Sequence, residues 1–266
     1  ELWNINKPDK IMAVHKAYAD AGAQIILTNT FGGNRIKLKK YGAENKIKEI
    51  NAAGIALAKE AAEGKAYIAG SLGPTGEVLM EPFEEPDKSL IFDTFAEQIG
   101  YLVNAGADMI IIETMASIEE ICVAVEASKK SAPVLPVAAS MSFEKGKAGF
   151  RTFMGVGPQD AVKRLEAAGA DIIGSNCGRG NEEMLGIIAE MRAVTRLPLI
   201  AEPNAGLPTI KNGVTVFEAA PEIMSAAAAG LVKAGANIVG GCCGTTPAHI
   251  RAIGETLQAR RQYRRN

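Results

Sequence analysis

The chain has 266 residues, 47% of them hydrophobic and 22% charged, which suffices for one large core and sits near the size of an eightfold α/β barrel. The net charge is -1 with Lys and Arg scattered, which gives no basis for a nucleic-acid groove, and no apolar run approaches the roughly 18 residues of a membrane span. Four cysteines are too few for a disulfide framework, and no signal-peptide pattern opens the sequence, so a reducing, cytoplasmic setting is expected.

From the N-terminus, Asn6 to Asp20 reads as a helix with no strand before it. One phrase then recurs four times: Ala21-Gly22-Ala23-Gln24-Ile25-Ile26, Ala105-Gly106-Ala107-Asp108-Met109-Ile110, Ala168-Gly169-Ala170-Asp171-Ile172-Ile173 and Ala234-Gly235-Ala236-Asn237-Ile238-Val239. Each reads as a helix end, a glycine stop in the left-handed region and a buried parallel strand. With the weaker apolar runs between them, strands are expected near 24 to 29, 66 to 71, 108 to 113, 134 to 141, 171 to 176, 198 to 202 and 237 to 241. The intervening segments carry helix signals, including a capping box at Ser117-Ile118-Glu119-Glu120 and first-turn prolines at Pro158 and Pro247.

This alternation predicts an α/β fold, a (β/α)8 TIM barrel whose first strand is expected ahead of Glu1, with a doubly wound open sheet as the competing topology. Residues 1–266 read as one barrel domain and 258–266 as a basic tail or linker. Turns entering strands are tight, whereas 72–86, 142–156 and 203–220 are long, so function is expected at the C-terminal strand ends. Asn29, Glu113, Asn176, Cys177, Glu202, Cys242 and Cys243 all fall there.

Adjacent Cα atoms lie about 3.8 Å apart, below the usual disulfide range of about 4.4 to 6.8 Å, so a Cys242–Cys243 bridge would be strained. Cys177 ends the sixth strand in barrel count and the pair ends the eighth, which brings three thiols together. That set suits zinc with one position open, and the open position suits a substrate thiol, which metal coordination would hold as a nucleophilic thiolate. Alkyl transfer to sulfur is the chemistry this suggests.

The sequence here resembles a known family. Gly174-Ser175-Asn176-Cys177, Gly240-Gly241-Cys242-Cys243-Gly244-Thr245-Thr246-Pro247, Thr28-Asn29-Thr30-Phe31-Gly32-Gly33-Asn34-Arg35, Gly73-Pro74-Thr75-Gly76-Glu77 and Glu202-Pro203-Asn204-Ala205-Gly206 together look like the homocysteine S-methyltransferases, most of all the homocysteine-binding module of cobalamin-dependent methionine synthases. The resemblance implies zinc-dependent methylation of homocysteine to methionine, with Cys177, Cys242 and Cys243 as zinc ligands and Glu113 on the substrate amino group. Methylcobalamin on a partner or fused corrinoid-binding module is the implied donor, with S-methylmethionine or betaine as alternatives. An Asp-Gly-Ala-Met-Gly-Thr-like turn that usually opens the family is not in this sequence.

Plainer readings stand beside these. Cys122 reads as a small core residue on a helix and His15 as a helix-packing or surface residue, while His249 lies close enough in sequence to approach the thiols. Asn29, Asn176 and Glu202 could equally satisfy backbone groups at the rim. The glycine run 240–244 before a helix also suits a phosphate-handling barrel, and a noncatalytic barrel binding a thiol or corrinoid protein is a further alternative.

Overall fold

The computed structural model describes residues 1–77, 87–178, 180–211 and 213–263. Seven parallel strands, β1 (Ile25–Leu27), β2 (Tyr67–Leu72), β3 (Met109–Met115), β4 (Val137–Met141), β7 (Ile172–Cys177), β8 (Leu199–Pro203) and β11 (Ile238–Val239), form one sheet in that order. The long loops hold two antiparallel hairpins, β5 (Glu144–Gly146) with β6 (Gly149–Arg151), and β9 (Pro208–Lys211) with β10 (Val214–Phe217).

Helices α1 (Trp3–Asn6), α2 (Pro8–Asp20), α3 (Arg35–Lys39), α4 (Ile47–Ala62), α5 (Lys88–Asn104), α6 (Ile118–Ser131), α7 (Pro158–Ala168), α8 (Asn181–Arg192), α9 (Pro221–Ala234) and α10 (Pro247–Tyr263) fill the connections. The first expected helix is split, because Pro8 has no N–H to continue α1 and instead starts α2. The four repeat glycines, Gly22, Gly106, Gly169 and Gly235, have φ of 89°, 91°, 98° and 118°, the left-handed stop that turns each helix into its next strand.

The sheet curls. Ile25 and Leu27 at one edge and Ile238 at the other pack into the same small cluster as Ala69, Met109, Ile111, Ala138, Ile172 and Ile200, which therefore lines a concave face. The larger core lies on the convex side, between strands and helices, where Ile110, Ile112, Ile173 and Leu199 meet Phe95, Ile99, Leu102, Ile121 and Ile188. Among the described residues β1 and β11 do not pair with each other, and a cavity of about 360 Å³ opens between them, lined in part by Ile26, Gly240 and His15. His15 is buried there with Nε2 unpartnered among the described residues, and that burial pushes its pKa down.

The expected strands are present, with local differences. β4 begins at Val137 rather than 134, because Leu135 N closes a turn onto Ala132 O and Val134 stays 87% exposed. Ser117 caps α6 by accepting from Glu120 N at 3.2 Å, but the box is not reciprocal. The buried Glu120 carboxylate instead accepts from Thr75 N and Oγ1, at 2.7 and 2.6 Å. The loop expected over 72–86 lies outside the described residues from 78 to 86. The stretch expected as a basic tail continues α10 as far as Tyr263, and 264–266 lie outside the described residues.

Gly174 of β7 faces Ile200 so closely that a Cβ would lie 2.0 Å from the Ile200 carbonyl oxygen. Gly174→Ala is therefore expected to destabilise by about 3 kcal/mol or more through backbone displacement. Gly100→Ala, in the middle of α5 with nothing within 4 Å, is expected to stabilise by roughly 0.5–1 kcal/mol. Urea unfolding of the two variants beside the parent checks both signs.

Candidate metal centre

Alternation along the strands orders the site. On each strand the residue two beyond an apolar concave-face residue shares its face. Leu27 leads to Asn29, Ala69 to Ser71, Ile111 to Glu113, Ala138 to Ser140 and Ile200 to Glu202, while Ile172 reaches Asn176 in two such steps. A polar layer thus sits on the apolar one. Its members touch across strands: Ser71 Oγ donates to Glu113 at 2.6 Å, and Ser140 Oγ donates to Asn176 Oδ1 at 2.8 Å.

Cys177, next after Asn176, would point to the opposite face if β7 continued regularly. It instead adopts φ 63°, a left-handed conformation costing a non-glycine residue roughly 1–2 kcal/mol, and its sulfur joins the other two. Beyond β11 the ladder to β8 continues through Gly240 N to Ala201 O and Cys242 N to Pro203 O, at 3.0 and 2.9 Å. Pro203, the register partner of Cys177, therefore lies between both thiol-bearing segments.

The sulfur separations are 3.2 Å for Cys177–Cys242, 3.8 Å for Cys177–Cys243 and 3.9 Å for Cys242–Cys243. A tetrahedral ion with metal–sulfur bonds of about 2.3 Å separates its sulfurs by about 3.8 Å, so two of the three edges already fit and the third is a thiol–thiol hydrogen bond. Donation by Cys177, aided by Asn176 and the Cys243 backbone, pulls the Cys242 pKa down to about 6 against its burial. Cys177 is correspondingly pushed up, first by the hydrogen bond it gives away and then by burial. Burial also raises Cys243, although it is the exposed member of the trio.

Burial pushes Glu113 up to about 7, against the opposing Ser71 hydrogen bond and with the nearby Cys242 charge adding to it. Glu202 is raised by burial first and by the Glu113 and Cys242 charges next, and its Oε2 has no partner among the described residues. The two carboxylates and the thiolate-prone Cys242 thus lie close enough to oppose one another's ionisation, and Glu202 and Cys242 line the same cavity. Asn29 donates to Asn4 Oδ1 at 3.0 Å and lines the cavity with Glu202 and Cys242.

The Asn176 side chain is already engaged. Its Oδ1 accepts from Thr114 N and Ser140 Oγ, both at 2.8 Å, and its Nδ2 donates to Thr114 Oγ1 at 2.7 Å and faces the Cys242 sulfur at 3.7 Å. His249 does not face the thiols with a free nitrogen: Nε2–H donates to Ala219 O at 2.7 Å, and Nδ1 accepts from Thr246 N at 3.1 Å. Cys122 lies half-buried on α6, packed against the convex core, as expected. Ser71, Ser140, Thr114 and Asn204 were not singled out from sequence; strand phase carried the signal for the two serines.

The raised carboxylates set a pH dependence. Native protein keeps a proton on Glu113 that the unfolded chain, titrating near 4.5, has already released, so its contribution is full below 4.5 and is lost as pH rises through about 7. In metal-free protein, Glu113→Gln is expected to flatten the fall in urea stability between about pH 4.5 and about pH 7 by up to about 3 kcal/mol. An unchanged slope would remove Glu113 as its source.

Fold and site together define a parallel α/β protein whose three cysteine sulfurs lie within the reach of a single metal ion, beside two carboxylates. The family model for homocysteine S-methyltransferase matches residues 1–257, and the chain belongs to that family. It is 31% identical over 264 residues to a methionine synthase of Mycobacterium tuberculosis (strain ATCC 25618 / H37Rv), covering 95% of this chain and 22% of that protein. A methionine synthase of Mycobacterium leprae (strain TN) is 30% identical with the same coverage, so the chain spans about a fifth of the length of both relatives. The homocysteine methyltransferase MmuM from Escherichia coli in its metallated form is 25% identical with a TM-score of 0.79, covering 95% of this chain and 86% of that one.

No helix among the described residues is long and apolar enough to cross a membrane.

Proposed function

We propose that this chain is the homocysteine-binding part of a zinc-dependent methyltransferase that forms methionine, with Cys177, Cys242 and Cys243 as the zinc ligands. The observation that carries this reading is the gathering of three sulfurs, all within 4.8 Å of one another, beside Glu113 and Glu202 on the fold of this family. Zinc held by the trio would lower the pKa of a thiol in its fourth position while keeping that sulfur nucleophilic.

The remaining work falls to the chain's own groups. Glu113 and Glu202 take the substrate ammonium, whose charge offsets the repulsion between them. Asn29 lines the same cavity as Glu202, and Asn176 acts indirectly by holding Thr114 and facing the Cys242 sulfur. The methyl carbon passes to the substrate sulfur, the bond to the donor breaks with its electron pair left on the donor, and the thiol proton is released. An eighth strand between the open edges of β1 and β11 would close the barrel and cover the cavity there.

Methylcobalamin on a corrinoid-binding domain or protein is the donor we favour, because the curated relatives are methionine synthases in which this chain matches 22% of the length. A reducing, cytoplasmic location keeps the thiols available. Supplying methylcobalamin, S-methylmethionine or betaine one at a time with homocysteine tests the donor; methionine from the first alone supports this reading, and turnover only with either of the others overturns it.

Cys243→Ala is expected to lower bound zinc and abolish homocysteine binding, whereas Cys122→Ala changes mainly stability, as read by elemental analysis and calorimetry. Equal zinc in both variants would overturn the ligand assignment. Glu113→Ala is expected to keep zinc and weaken homocysteine by about 10-fold or more, the scale of a lost charge-assisted contact.

A further inference from the structure

Two of the thiol positions arrive on separate segments, Cys177 at the end of β7 and Cys243 after β11, with β8 running between them. The residue that bridges these segments is Asn204, directly after β8 and only 7% exposed. Its Nδ2 donates to the carbonyl of Gly178, the neighbour of Cys177, at 2.8 Å, and its Oδ1 accepts from Cys243 N at 3.0 Å. One contact demands a donor and the other an acceptor, and the two ends of the Asn204 carboxamide supply both.

The next residue completes the hold. Ala205 N donates to Cys243 O at 2.9 Å, so both backbone polar groups of Cys243 are bound by the segment after β8. That segment is tied at its far end as well, since Ala219 N donates to Ala205 O at 3.0 Å and His249 Nε2–H donates to Ala219 O at 2.7 Å. His249 belongs to α10, the helix that follows the cysteine pair, and accepts at Nδ1 from Thr246 N. The ties therefore form a closed circuit from Cys243 through Ala205, Ala219 and His249 back to Thr246, with Asn204 as the branch that reaches Cys177.

We infer that Asn204 is a positioning residue that sets the spacing between Cys177 and Cys243, with His249 bracing the segment that carries it. The inference rests on the reading of the trio as a metal site. Hydrogen-bonding partners outside the ligand set commonly contribute about 10- to 100-fold to metal affinity.

The test measures zinc affinity by chelator competition and the sulfur-to-metal charge-transfer band of the cobalt(II)-loaded protein, for the parent, Asn204→Asp, Asn204→Leu and His249→Ala. Both Asn204 variants are expected to bind zinc about 10- to 100-fold more weakly with a shifted cobalt band, and His249→Ala to change both in the same direction by less. Asn51→Leu is the control, because Asn51 is a fully buried amide donating to Gly33 O and Ile47 O away from the thiols; it should lose stability and keep the parental zinc affinity and cobalt band. Folded Asn204 variants with parental affinity and spectrum would overturn the inference, as would an Asn51 variant that changes them equally. If Asn204→Leu does not fold, Asn204→Asp and His249→Ala decide by the same criteria. A parent chain that binds neither metal fails the site reading itself, which separates that failure from failure of the clamp.

Discussion

Side chains alternate between the two faces of a strand, and the site of this protein depends on that period-two rule more than on any single contact. Seven parallel strands in register stack their concave-face residues into layers, an apolar one formed by residues such as Ala69, Met109, Ala138 and Ile200 and a polar one above it containing Ser71, Glu113, Ser140, Asn176 and Glu202. A shift of one residue in any strand would exchange its member of the polar layer for one on the convex side. The sheet register is thus also the coordinate system of the site.

The departures from that rule fall where chemistry needs them. Regular alternation after Asn176 would carry Cys177 away from the concave face, and the backbone at φ 63° brings its sulfur within 3.2 Å of Cys242 instead. Thr114, one residue beyond Glu113, is also left-handed at φ 61°, and Asn176 grips it through both N and Oγ1. A β-branched residue rarely adopts this conformation, so those two hydrogen bonds offset local strain. The same amide that steadies Thr114 faces the Cys242 sulfur, which couples the carboxylate side of the pocket to the thiol side.

Most of this framework was legible in the sequence because it is repetitive or strongly apolar. The four Ala-Gly-Ala phrases announced strand starts, and their glycines occupy the left-handed positions that the pattern requires. The hairpins β5–β6 and β9–β10 were not legible, since strands containing Glu144, Lys145 and Lys211 bury little surface and carry no core-facing pattern. The edge strand β11 is shorter than the expected 237–241, with glycines 240 and 241 following Val239, although the ladder to β8 continues through Gly240 N and Cys242 N. The thiols and Glu113 stood out by residue type and strand-end position. Asn204 did not, because its role comes from two backbone groups, at Gly178 and Cys243, that sequence alone does not bring together.

Electrostatics then explains why the polar layer is built as it is. Glu113 is half-buried and Glu202 buried, both are raised, and both are near Cys242, an arrangement that costs stability whenever all three are ionised and uncompensated. Ser71 gives a hydroxyl donor to Glu113, while Glu202 Oε2 has no partner among the described residues. A cation entering there would favour the ionised forms of these groups and gain their Coulomb attraction, while the Cys243 sulfur stays exposed to an arriving ligand. On the proposed reading, with a metal held by the sulfurs, the arrangement suits a ligand that brings a positive group to the carboxylates and a soft donor to the metal, which is the polarity of an amino thiol.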